Sequence, residues 1–193
     1  MAPMSPVWIS TVPVGEATGR LKEAYDWQSA RLGRPTEFTM IGSLDPEIVH
    51  ARLGLYRASE RCPSALTPRQ RTVIGYVTSM LNSTPHCASQ VRGKLREVGF
   101  TEEEIRAMDE RRYDALAPEE AAVARYSDRL TLEPGAVGQA DVQDLRANGL
   151  GDLEILDANN MCAHLNYVNR IANGLGLRSE VDAGFQAFEA IPQ

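Results

Sequence analysis

The stretch from Leu66 to Gly99, LTPRQRTVIGYVTSMLNSTPHCASQVRGKLREVG, constrains the fold most because it writes two helix starts around one turn. Thr67 stands where an N-cap is needed, and Pro68 takes the first helical position, whose N–H has no intrahelical partner. Val73, Ile74, Val77, Met80 and Leu81 then recur at helical spacing, which predicts a helix of about four turns with one buried face. Asn82-Ser83-Thr84-Pro85 ends that helix and starts the next, with Thr84 as cap and Pro85 as first residue. His86 and Cys87 therefore fall in the opening turn of the second helix. Amide donors and the positive dipole end favour an anion there, and a thiol so placed is drawn toward the reactive thiolate.

Every other periodic segment also has the 3.6 period with glycine and proline punctuation, so an all-α fold is expected. The 193 residues, 43% hydrophobic, can bury a core and read as a single domain, 1–193. Residues 1–65 read as an apolar arm (Val7, Trp8, Ile9, Val12, Val14) and a helical extension. Its helices run from Gly15 to Leu32 and from Pro46 to about Glu60, the second carrying Ile48, Val49, Leu53, Leu55 and Tyr56. Residues 66–115 and 116–176 read as two pseudo-symmetric copies of one repeat offset by about 50 residues. Leu66, Pro68, Val73, Tyr76, Leu95, Arg96, Gly99, Glu104 and Ile105 recur as Leu116, Pro118, Val123, Tyr126, Leu145, Arg146, Gly149, Glu154 and Ile155. Gly99 and Gly149 suit the position just past a helix end. In the second copy Leu132-Glu133-Pro134-Gly135 replaces the turn, so only the first copy carries a thiol there.

The last long helix is expected from Asp152 to Leu175, with Leu153, Leu156, Met161, Leu165, Val168, Ile171 and Leu175 as its apolar stripe. Its many asparagines are weak helix formers and are expected to hydrogen-bond across helices or to other subunits. Residues 177–193 form a tail.

A net charge of −6 and a pI near 5.2 argue against nucleic acid or an anionic membrane as partner. No apolar run approaches the roughly 18 residues of a membrane span, and MAPMSPVWIS does not read as a secretory signal. Three cysteines without framework spacing suit a reducing cytoplasm, with Cys62 and Cys162 as packing residues. His50, His86 and His164 have no ligand spacing on one helix, so neither metal nor cofactor is expected.

The segment 66–99 resembles the core motif of the alkyl hydroperoxidase D (AhpD) and carboxymuconolactone decarboxylase family, especially its peroxidase-related branch. The family pattern is a glutamate on the first helix, then Asn-x-Cys-x-x-Cys-x-x-x-His. Asn82 matches, Cys87 matches the second cysteine, and His86 matches a histidine that some members carry. Thr84 stands for the first cysteine, Val91 for the final histidine and Thr72 for the glutamate. The order of arm, Glu-Ala-x-Gly helix and Pro-started helix is also similar to that branch, so the resemblance covers nearly the whole chain. It implies an AhpD-like helical fold, a homo-oligomer (trimer or hexamer) and a small organic substrate. With the redox motif degenerate, it implies a non-redox enzyme of lyase, isomerase or decarboxylase type. His86 and Cys87 would be catalytic, with Thr84, Thr72, Tyr76 and His164 lining or supporting the pocket. The alternatives are a one-cysteine hydroperoxide peroxidase using Cys87, and a non-catalytic binding protein of the same fold.

Overall fold

The computed structural model describes residues 7–61 and 64–178; the expectations for Cys62 and for the tail beyond residue 178 lie outside them. Regular structure among the described residues is all helical: α1 (Gly19–Leu32), α2 (Glu37–Ile41), α3 (Pro46–Tyr56), α4 (Pro68–Leu81), α5 (Pro85–Glu97), α6 (Glu102–Asp109), α7 (Pro118–Leu132), α8 (Gln139–Ala147) and α9 (Asp152–Gly174). They divide into two compact units, residues 64–170 in one and 7–61 with 171–178 in the other.

In the larger unit, the helix starts follow from local chemistry. Thr67 Oγ1 accepts from Gln70 N while Gln70 Oε1 accepts from Thr67 N, and Thr101 and Glu104 repeat this reciprocal cap at α6. The two starts are then coupled: Arg69 is bonded to both Glu104 and the buried Glu120. The core is built mainly from α4 and α7, where Val73, Ile74, Val77 and Val123 are fully buried, joined by Leu95, Ile105 and Leu145.

The internal repeat is a repeat of structure. Gly99 and Gly149 have φ of 88° and 90°, which a side chain would strain, and each lets the next amide bond back (Phe100 N to Leu95 O, 2.9 Å; Leu150 N to Leu145 O, 3.1 Å). Arg96–Glu102 and Arg146–Asp152 are matching ion pairs at 2.6 Å, and Tyr76 reaches Asp109 as Tyr126 reaches Asn159.

In the smaller unit α1 and α3 run side by side in the same direction, joined by the Arg20–Glu47 ion pair (2.7 Å) at their N-terminal ends. Leu21, Ala24, Tyr25 and Val49 are buried between them. The arm packs on this unit: Val7 joins Ile41, Ala172 and Leu177, and Trp8 N donates to Leu175 O (3.0 Å).

Four expectations need correction. The first helix begins at Gly19, because Val14–Glu16 form a separate 3₁₀ turn and Thr18 is extended. The short α2, capped by Thr36 Oγ1 on Thr39 N, is too brief to leave a periodic signal. The α-helical part of α3 stops at Tyr56 and continues as a π turn, Arg57–Arg61, while Ile48 and Leu55 are 40% and 49% exposed. On α9, Met161 and Leu165 of the expected stripe are buried, but Leu153 and Leu156 are 61% and 54% exposed, and Ala158, Cys162 and Asn169 are buried beside them. The apolar period missed these small and polar side chains, of which Cys162 and Asn169 bond to α4 and α7.

Two Tyr–Asp–Arg clusters brace the larger unit. Tyr76 donates to Asp109 Oδ1 (2.5 Å) and accepts from Arg92 (2.6 Å); Tyr113 donates to Asp128 Oδ2 (2.6 Å), which Arg111 also clasps. Burial, and then the adjoining carboxylate, pushes both phenols far above their ordinary range. An acid whose folded-state pKa is raised stabilises the fold fully below its unfolded value and loses that contribution as pH rises toward the folded one. The melting temperature is therefore expected to fall from about pH 10 upward, less steeply in Tyr113→Phe when each protein is referred to its own value at neutral pH. A melting temperature that stays flat through this range would contradict the assignment.

Candidate functional site at the α4–α5 turn

The turn that carries the thiol is pinned at its first residue. Asn82 closes α4, and its Nδ2 donates to Thr78 O and to Asn166 Oδ1 of α9, both at 2.9 Å. Ser83 then takes φ of 50°, a left-handed conformation costing a non-glycine residue about 1–2 kcal/mol. The chain reverses there, and Thr84 N donates to Ser79 O (3.0 Å). Thr84 is fully buried at the N-cap position expected for it, but it does not cap: its Oγ1 bonds to Asn82 O (3.4 Å) and accepts nothing from the first turn of α5.

Pro85, His86 and Cys87 follow as the first three residues of α5. His86 is 2% exposed, and Gln90 Nε2, which can only donate, lies 3.0 Å from its Nε2. Cys87 is half-buried. Adjacent helical residues point about 100° apart, so the imidazole and the thiol leave the helix in different directions. Cys87 shares its face with Val91, one turn on. Val91 packs against the core beside Gly75 of α4, where an added Cβ would meet its methyl at 3.5 Å, an ordinary contact. The position where the resemblance implies a histidine is thus an apolar packing position.

The remaining candidates lie on α4 and α9. Thr72 is half-buried and its Oγ1 donates to Pro68 O (2.7 Å), within its own helix. Tyr76 is fully buried in the cluster with Asp109 and Arg92. His164 is buried, its ring stacked on that of Tyr167 at 6.5 Å between centroids. No group of three or more His, Cys, Asp or Glu among the described residues could hold a metal.

The residue that the motif did not single out is Asn166. Its Oδ1 accepts from Asn82 and from Arg170 (2.6 Å), and its Nδ2 donates to Thr131 Oγ1 of α7 and to Cys162 O, both at 3.1 Å. The asparagine-rich sequence of α9 signalled such bonds without naming their partners. Cys162 lies in the same polar nest, with Thr78 Oγ1 at 3.4 Å and Asn166 Nδ2 at 3.5 Å. It is fully buried, and burial pushes its thiol pKa up despite these partners.

A thiol reagent at neutral pH is therefore expected to label Cys87 in the native protein and Cys162 only after unfolding, as read by peptide mass mapping. Fast native labelling of Cys162 would refute that burial. Asn166→Ala, which removes the bonds Asn166 makes to Asn82, Thr131 and Cys162 O, is expected to cost about 1–3 kcal/mol in urea unfolding; a change within error would remove the hub role.

The profile of the Carboxymuconolactone decarboxylase family matches residues 46–129, which include the α4–α5 turn. Among solved structures, an uncharacterized peroxidase-related protein with an AhpD core from Ralstonia eutropha superposes with TM-score 0.79 and 18% identity, over 91% of this chain and 93% of its own. The debrominase Bmp8 in complex with 2,3,4-tribromopyrrole gives TM-score 0.71 and 13% identity, over 91% and 92%. A protein from Agrobacterium tumefaciens with a suggested AhpD-type antioxidant role gives TM-score 0.62 and 26% identity, over 73% and 96%. No curated protein sequence matches the chain. Residues 46–129 thus match the Carboxymuconolactone decarboxylase family profile, and the helical fold around them is the AhpD-like one of these solved structures.

Proposed function

We propose that the chain is a thiol-dependent enzyme in which Cys87 acts as a single nucleophile on a small hydroperoxide, with an external thiol completing the cycle. The observation that carries this reading is the contrast between neighbours: Cys87 is partly open to solvent at the start of α5, whereas His86 is 2% exposed and engaged with Gln90. A group that must exchange a proton with substrate has to reach it, which lowers the non-redox acid–base reading below the one-cysteine reading. The acid–base reading is kept by one fact: Thr84 offers a hydroxyl where a dithiol cycle needs a resolving thiol.

In the proposed cycle the Cys87 thiolate attacks the terminal peroxide oxygen, the O–O bond breaks, and the alkoxide leaves as the alcohol with a proton from solvent. Cys87 is then a sulfenic acid. A first external thiol condenses with it to a mixed disulfide and water. A second releases the Cys87 thiol and an external disulfide, so one hydroperoxide is reduced for two thiols oxidised. With Thr72 and Val91 in place of a proton relay, turnover is expected to be slow, by about 10²–10⁴ relative to an enzyme with general acid–base assistance.

The test is consumption of tert-butyl hydroperoxide with dithiothreitol, alongside dimedone trapping read by mass spectrometry. Slow turnover lost in Cys87→Ser, with dimedone on Cys87 alone, is the expected result. Turnover unchanged in Cys87→Ser would end the proposal, and fast turnover with Cys87 bridged to Cys62 or Cys162 would replace it with a dithiol cycle.

We also propose a homo-oligomer, because Leu44, Ile48 and Leu55 in one unit and Leu153 and Leu156 in the other are each 40% exposed or more. Light scattering at micromolar concentration is expected to give a multiple of 21.2 kDa; a monomer would overturn it.

A further inference from the structure

A cleft of about 370 Å³ lies between α1 and α3, built entirely from the smaller unit and lined by Glu23, Trp27, His50, Leu53, Gly54 and Arg57 among others. Its size falls within the range of small-molecule sites, and its walls mix an aromatic and an aliphatic surface with a few polar groups. Trp27 carries two guanidinium groups, Arg31 at 4.6 Å and Arg57 at 5.6 Å from the ring centre. Of the arginines of this unit, Arg20 meets Glu47 and Arg34 meets Glu37, while Arg52 and Arg178 lie over Phe38 and Trp8; Arg31 and Arg57 are distinguished by sharing one ring. Two cations without an acid on one ring are unexpected in a chain of net charge −6. Arg57 is also the residue at which α3 gives way to the π turn Arg57–Arg61, a departure from regular helix that recurs at functional sites.

We propose that this cleft binds a small aromatic carboxylate. The ring lies against Trp27 and Leu53, and the carboxylate takes the planar donor fork of Arg57, with His50 beside it at the mouth. Arg31, holding the indole, adds positive potential. Gly54 leaves the floor open: a Cβ there would meet nothing within 4 Å. Glu23 on the opposite wall offsets part of the positive charge, which suits a monoanion better than a phosphate dianion. The site shares no residue with the α4–α5 turn and does not depend on the thiol chemistry proposed above.

The test uses Trp27 as its own reporter. The chain has two tryptophans, so in Trp8→Phe the fluorescence comes from Trp27 alone. Titration with sodium benzoate at fixed ionic strength is expected to saturate with a Kd below about 10 mM. Acetate, which lacks the ring, and benzamide, which lacks the charge, are expected to bind at least tenfold more weakly. Adding Arg57→Met should weaken benzoate at least tenfold without moving the melting temperature, because Arg57 is exposed; adding Cys87→Ser should leave it unchanged. No saturation by benzoate, an equal response to benzamide, or loss of binding with Cys87→Ser but not Arg57→Met would each overturn the proposal. Tighter binding of phenyl phosphate than of benzoate would overturn the carboxylate assignment.

Discussion

Buried amide groups must be satisfied inside the protein, and in the larger unit that requirement fixes how α4, α7 and α9 meet. Asn169 is fully buried and donates weakly to Thr78 O and Ser79 Oγ, both at 3.4 Å, while Asn166 links Asn82, Thr131 and Cys162. Each such group left without a partner would cost about 1–3 kcal/mol. Sliding α9 by one residue along α4 would break several of these bonds at once, which apolar packing alone would tolerate far better. The network therefore sets the register of α9, and through Asn82 it also holds the turn from which Cys87 projects.

Much of this was legible from sequence where the determinant is local. The starts of α3, α4 and α5 are written in Pro46, Thr67-Pro68 and Thr84-Pro85, and that of α7 in Pro118, the repeat of Pro68, because caps and prolines act within one turn. The glycine ends of the repeat were readable for the same reason. What failed depends on distant residues. Leu153 and Leu156 have the spacing of core leucines, yet Cys162 and Asn169 are buried instead, because the facing surfaces of α4 and α7 present Thr78, Ser79 and Thr131. Tyr76 lies one turn from Thr72 on the motif helix, but its hydroxyl is fixed by Arg92 and Asp109, contributed by α5 and α6. For the candidate site, sequence placed Thr84, His86 and Cys87 in the right turn; it could not tell that burial separates His86 from the half-exposed Cys87.

That separation bears on which chemistry the turn can support. A thiol at a helix start gains from the dipole and from local amides whatever its neighbours, which is the physical basis of the role proposed for Cys87. Proton transfer is less forgiving, since it needs a titratable group within about 3 Å of the reacting atom. Val91, on the face of α5 that carries Cys87, packs against the core, and Thr72 is bonded to its own helix. Neither residue supplies a titratable group, and the hydroperoxide proposed as substrate asks little of one because its O–O bond is weak.

The two copies of the repeat have diverged in complementary ways. The first joins its helices by the tight Asn82-Ser83-Thr84 turn and ends in the 8-residue α6. The second joins its helices through the 3₁₀ turn Pro134–Ala136, loses the thiol, and ends in the 23-residue α9. The extra turns of α9 are the ones that carry Asn166 and Asn169 to α4. A short α9 matched to α6 would stop near Asn159, and Asn82, Thr78 and Ser79 of the α4 end would lose their bonds to Asn166 and Asn169. The second copy has thus become the support for the turn that only the first retains, so the thiol of Cys87 rests on a partnership between unlike halves.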